Sequence, residues 1–139
     1  MTLKRSQRQS VLEHVVGKTD IGDLPTGMAL ALFTVAPSAA GAGGIEVTNA
    51  NGYTRTAYAG TKWDAATAAE PSVIDNAAVE DIGPASGGNW GTIVGVGLME
   101  SNVHGTDDVI AYFDLTADVT INDGDTFRIP AGNLSLSLA

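Results

Sequence analysis

Gly83-Pro84-Ala85-Ser86-Gly87-Gly88-Asn89-Trp90-Gly91-Thr92-Ile93-Val94-Gly95-Val96-Gly97-Leu98 decides how this chain is read. Its first half is broken by Gly, Pro, Ser and Asn, which favour turns through backbone freedom, a fixed φ or local side-chain hydrogen bonds. Its second half is led by Trp and rich in apolar residues, so a strand is predicted over 90–99. Gly95 and Gly97 fall inside that strand, where glycine marks a bulge or the close approach of another group. Trp90, set beside Ile93, Val94 and Val96, is predicted to pack in the core. The stretch contains no titratable side chain, so it speaks for architecture and offers no chemistry.

Outward from it, β-type runs alternate with Gly, Asn, Asp and Pro at 27–35, 45–48, 52–59, 73–82, 108–116, 118–122, 125–129 and 133–138. With 90–99 they predict a mainly β fold, a β-sandwich or jelly-roll-like domain. The last run alternates most cleanly: Leu134, Leu136 and Leu138 share one face and Ser135 and Ser137 the other, so the leucines should point inward. Asn122-Asp123-Gly124-Asp125, between Val119 and Ile121 on one side and Phe127 and Ile129 on the other, predicts a tight hairpin. In the run over 108–116, Val109, Ala111, Phe113 and Leu115 fall on one face and Ile110 and Tyr112 on the other. Both faces are largely apolar, which predicts a strand covered twice, by its own fold or by another subunit. The stretches 36–44 and 60–70, rich in Ala, Gly, Thr and Ser, read as long loops whose small-residue surfaces suit packing against another protein.

The beginning of the chain differs. Leu3, Val11, Leu12, Val15 and Val16 form an incomplete apolar stripe over 3–16 and Gly17 is placed to stop a helix. A helix of about 14 residues is marginal alone and gains its stability by packing on something else. Two units follow: a basic helix at 1–19, an anchor or docking arm, and a β-sandwich domain at 20–139. The 139 residues fit a single core, and the 44% hydrophobic share marks the chain as globular rather than disordered.

Charge is divided the same way. Residues 1–18 hold four cations (Lys4, Arg5, Arg8, Lys18) against Glu13, a net +3; the remainder holds three cations against fifteen acids, a net −12. So acidic a body argues against nucleic acid as a partner, because phosphate binding is driven by basic residues. No apolar run approaches the ~20 residues that span a bilayer, and the basic beginning is not followed by a signal-peptide apolar block; no membrane partner and a soluble product are expected. Without cysteine there is neither disulfide nor thiolate chemistry.

Each possible chemical site has a simpler explanation. Gly41-Ala42-Gly43-Gly44 and Gly95-Val96-Gly97 lack the strand-to-helix setting of a phosphate loop. His104 with Asp107 and Asp108 could ligate a metal, yet the same residues suit a polar loop. Asp123 and Asp125 hint at calcium, but the loop has no twelve-residue EF-hand pattern and turn chemistry explains it. There is no Gly-x-Ser-x-Gly elbow and only two histidines, and no carboxylate pair stands out from sixteen acids. No enzyme activity, catalytic residue, metal or cofactor is therefore expected. Trp63, between Lys62 and Asp64, is either an intersubunit anchor or packed beneath its own loop. It could also form a sugar-stacking platform, which makes a host-surface carbohydrate-binding module one alternative. Charge and exposure select Lys4, Arg5, Arg8, Val11, Leu12, Val15, Trp63 and Tyr112 as interface residues.

Several motifs carry a resemblance. Val11-Leu12-Glu13-His14-Val15-Val16-Gly17-Lys18 looks like an opening helix, and Ala29-Leu30-Ala31-Leu32-Phe33-Thr34-Val35-Ala36-Pro37 like a first β segment. Gly44-Ile45-Glu46-Val47, Gly52-Tyr53-Thr54-Arg55 and Trp90-Gly91-Thr92-Ile93 follow in order. Asp123-Gly124-Asp125-Thr126-Phe127-Arg128-Ile129-Pro130-Ala131-Gly132-Asn133-Leu134 looks like a closing hairpin. In this order they resemble the small virion proteins of tailed bacteriophages called tail-fibre-like or head decoration proteins. The resemblance implies a virion structural protein made in the bacterial host cytoplasm and binding other virion proteins and itself, as a homotrimer. A tail-associated fibre or appendage is the first expectation, and a capsid decoration (cement) protein on the major capsid lattice the alternative.

Overall fold

The structure, a computed structural model, describes residues 2–3, 5–18, 27–105 and 109–138. It is mainly β with one short helix: β1 (Thr2–Leu3), α1 (Arg5–Val15), β2 (Ala29–Val35), β3 (Ile45–Glu46), β4 (Thr56–Ala57), β5 (Ser72–Asp75), β6 (Glu80–Ile82), β7 (Gly91–Met99), β8 (Val109–Ile121), β9 (Phe127–Ile129) and β10 (Ser135–Leu138).

The main antiparallel sheet runs β1-β8-β7-β2-β3, with β4 also on β2. β3 and β4 share one edge, Ile45–Glu46 lying beside the Phe33–Val35 end of β2 and Thr56–Ala57 beside Ala29–Leu30. Two ribbons, β5–β10 and β6–β9, complete the fold. The main core lies between the layers: Leu30, Leu32, Val96, Leu98, Ala111 and Phe113 of the sheet join Ile82, Phe127, Ile129 and Leu134 of the ribbon segments. Two packed layers around one core are what a two-faced sheet needs to bury its apolar side. A smaller cluster of Ala31, Phe33, Met99, Val109 and Tyr112 covers the other face. That face explains why Ala29 to Phe33 is buried at every position instead of alternating.

Asn76 ties the ribbons together. Its Nδ2 donates to the Ala78 and Pro130 carbonyls (2.8 and 2.9 Å), and its Oδ1 accepts from the Leu134 amide (2.8 Å). The side chain is 1% exposed, so each of these bonds meets a polar atom already removed from water. As expected, Leu134 is buried and Leu136 packs on the core.

Five expectations are corrected. Thr2–Leu3 is a strand on Tyr112 and Ala111 of β8, so the helix begins at Arg5 rather than residue 3. The run over 73–82 is two strands, because Asn76 turns the chain between partners β10 and β9. The runs over 108–116 and 118–122 are one strand with an internal bulge: two steps on β7, Ile93 to Gly95, face five on β8, Val119 to Asp114. A second irregularity pairs Leu98 with Ala111 but Met99 with Val109, so Ile110 is the extra residue. It reverses the expected alternation: Ile110 packs on the main core and Val109 joins Tyr112 in the outer cluster.

The fifth concerns 122–125. A tight turn forms, with the Asp125 amide on the Asn122 carbonyl (3.0 Å) and Gly124 at φ 88°. Yet β9 pairs with β6, not β8. The cause is the loop over 83–89, which clasps the turn: the Gly124 amide donates to the Ala85 carbonyl and the Ala85 amide to the Asp125 carbonyl, both 2.9 Å.

Candidate assembly interface

The helix ends as its sequence prescribes. Gly17, at φ 70°, donates to the His14 carbonyl (2.9 Å) and Lys18 to the Glu13 carbonyl (2.8 Å), the paired closure of a Schellman motif. Lys18 Nζ reaches Glu13 Oε1 at 3.3 Å, so an ion pair occupies the position where an apolar contact commonly accompanies this cap. Past that point the stripe is open. Leu12 is 69% exposed and Val15 and Val16 each 75%, while Val11 is half-buried and Arg8 exposed. Lys4 lies outside the described residues, and Arg5 opens the helical backbone.

Tyr112 and Trp63 sit differently. Tyr112 is 5% exposed and packs edge-on against Phe33 at 5.8 Å. Its ring crosses Gly95, where an added Cβ would run into Tyr112 Oη and fall 2.7 Å from the Phe113 carbonyl oxygen. At Gly97 a Cβ would fall 2.6 Å from the Phe33 ring. The two glycines are therefore a trough for two aromatic rings, the close approach expected of them. Burial, with help from Asp114 and Asp118, pushes the Tyr112 phenol up to about 12. Its hydroxyl has no hydrogen-bond partner among the described residues. Trp63 is half-buried, edge-on to Tyr58 at 5.3 Å and packed on the main core, with an open side remaining. Trp90 is core, as expected, with Nε1 donating to the Asn51 carbonyl at 2.8 Å.

Two quoted motifs meet in a feature that reading by segments missed. Glu46 and Arg55 form a buried bidentate pair, Nε to Oε1 at 3.0 Å and Nη2 to Oε2 at 2.9 Å. Arg55 Nη1 also donates to the Ser101 carbonyl (2.8 Å), and the Tyr53 hydroxyl donates to Glu46 Oε1 (3.0 Å) while accepting from the Leu32 amide (2.9 Å). Burial pushes the Tyr53 phenol far above its ordinary range. His104 Nε2 contacts the Val47 carbonyl at 2.7 Å and lies 3.9 Å from Glu46 Oε2. A recess of about 260 Å³ opens beside Glu46, Arg55 and His104, but Glu46 and Arg55 bond to each other. The arrangement clamps the β3 edge to the chain over 53–55 and 101–104.

The acids weighed for metals are placed as follows. Asp107 and Asp108 lie outside the described residues. Asp123 Oδ1 accepts from the Gly87 amide and Asp125 Oδ2 from the Asn122 amide, both 2.9 Å, so each supports its turn. Among the described residues no three His, Cys, Asp or Glu side chains gather to hold a metal ion, and no helix is long and apolar enough to cross a membrane. Sequence reasoning also overlooked Asp114 and Asp118, exposed on the outer half of β8. No local signal singled them out, because the bulge of β8 lies between Asp114 and Val119 and breaks the simple alternation.

A compact β body with a capped, laterally open helix is an architectural arrangement, and the comparison with known families agrees. A family model described as podophage GP4 fiber I protein gp80 matches residues 3–137. The chain belongs to this gp80 fibre family. No curated protein matches it. Membership in the gp80 family makes the chain a phage fibre-type structural protein, whose place is the virion and whose partners are other virion proteins. The match runs from Leu3 to Ser137 and so includes α1 as well as the strands of the β body up to β10.

Proposed function

We propose that the chain is a non-enzymatic, tail-associated fibre or appendage component of the virion that assembles as a symmetric homo-oligomer, the homotrimer that the resemblance implies. The observation that carries this reading is α1: a basic helix whose Leu12, Val15 and adjoining Val16 are 69–75% exposed, more than any large apolar residue described in the β body. Exposed apolar surface beside charged residues is the composition of an interface. Lys4, Arg5, Arg8, Val11, Leu12 and Val15 form the docking arm, and the open side of Trp63 is a second contact. Tyr112 packs over Gly95 and supports the surface from beneath.

Copy number in purified particles, taken with the native mass of the isolated protein, tests this. A multimer present in tens of copies or fewer is expected. Hundreds of copies per particle would instead mean a capsid decoration protein, and a monomer absent from particles would sink the proposal.

A further inference from the structure

We propose that α1 of one copy docks on the outer half of β8 in a second copy, with Arg8 set against Asp114 and Asp118. This rests on the homo-oligomer reading and names its contact surface.

Three observations select this pairing. The first is charge. The arm over 1–18 carries net +3 and the rest of the chain −12, so helices packed on one another would bring like charges together, whereas a helix on a body brings opposite ones. The apolar stripe is also only about one turn long, far short of the three or four heptads that a helix-to-helix seam needs.

The second is an unmatched acidic surface on β8. Asp114 and Asp118 are exposed; Asp114 stands opposite Gly95, two places from the Gly97–Tyr112 pair, which puts it on the outer face of the sheet, and Asp118 follows it on the same half of β8. Among the described residues neither carboxylate has an ion-pair partner, unlike Glu46, Glu80 and Asp81. Beyond Tyr112, β8 is paired with β7 alone among the described residues.

The third is chain direction. β1 is antiparallel to β8, with Thr2 beside Tyr112 and Leu3 beside Ala111. β1 therefore runs toward the Val109 end of β8, away from Asp114 and Asp118. The helix of eleven residues, about 16 Å long, is tethered to that end of its own β8. The helix of a second copy has no such constraint.

The test uses the full-length chain in light scattering across a salt series, with Arg8→Glu and Asp118→Lys as separate variants. Wild-type association is expected to weaken as salt rises, since the Debye length falls from ~10 Å at 0.1 M to ~3 Å at 1 M. Each single reversal is expected to weaken association about fivefold or more, because an attraction becomes a repulsion. Mixing the two variants is expected to restore a complex, since the acid introduced on the helix of one chain then meets the base introduced on β8 of the other; docking within a single chain cannot give this. Leu12→Ala, a truncation at an exposed position that leaves the body intact, is expected to weaken association without changing the thermal unfolding midpoint. A multimer indifferent to both reversals, or a mixture no better associated than its parts, overturns the docking and leaves the homo-oligomer standing. A wild-type monomer at every salt concentration overturns both.

Discussion

Glu46 and Arg55, nine residues apart and on separate segments, hold each other in a bidentate ion pair whose side chains are 8% and 0% exposed. Glu46 belongs to the short edge strand β3 and Arg55 to the segment that leads into β4, so the pair closes the edge of the main sheet at both places where it meets β2.

Removing one partner leaves a buried charge without compensation. Arg55→Met is expected to cost about 3–5 kcal/mol of unfolding free energy in chemical denaturation. The double change Glu46→Leu/Arg55→Met removes both charges and is expected to cost less than Arg55→Met alone. If the single variant lost under about 1 kcal/mol, the pair would not be the clamp described here.

The trough over Gly95 makes two opposite expectations. Gly95→Ala places a methyl group against the Tyr112 ring and the Phe113 carbonyl oxygen, and the backbone part of that clash cannot swing away. A loss of about 3 kcal/mol or more is expected, at the upper end for overpacking. Tyr112→Phe removes a buried hydroxyl that has no partner among the described residues, and is expected to raise stability by about 1 kcal/mol. A thermal midpoint that falls for Tyr112→Phe would show that the hydroxyl is bonded in solution.

All three tyrosines of the chain resist ionisation. Burial is the leading cause for each, pushing Tyr58 and Tyr112 up to about 12 and Tyr53 higher still. The unfolded chain ionises its phenols near pH 10, as free tyrosine does. Above that pH the unfolded state holds fewer protons than the folded one, so stability falls as pH rises. The contribution is fully present below about pH 10 and is lost progressively from there toward about pH 12. Absorbance at 295 nm is expected to show phenolate appearing together with loss of the fold. Ionisation of two or more tyrosines near pH 10 in the folded protein would contradict the burial described here.

Much of the β class was legible, because it rests on contacts between near neighbours along the chain. The alternation of Leu134 and Leu136 against Ser135 and Ser137 set the inward face of β10, and Gly17 set the end of α1 through its left-handed φ. Gly95 and Gly97 announced a close approach, though not that Tyr112 and Phe33 would fill it. The incomplete stripe of Leu12, Val15 and Val16 was legible as well, but not whether the chain's own body would cover it.

Choices between distant partners were not legible. Asn122-Asp123-Gly124-Asp125 has the composition of a hairpin and does turn, but its free backbone groups bond to Ala85, and β9 joins β6. Ile110 is chemically an ordinary strand residue; only its mismatch with the length of β7 makes it a bulge and moves Val109 to the other face. Glu46 and Arg55 each look like surface charges until the chain over 46–55 folds back and puts them out of water together. Backbone preference and burial period are written in residues one to four apart, so the composition of each element was settled locally. Pairing, bulges and the buried ion pair depend on which segments compete for the same edge and the same dry space, and that competition is resolved only when the whole chain has packed.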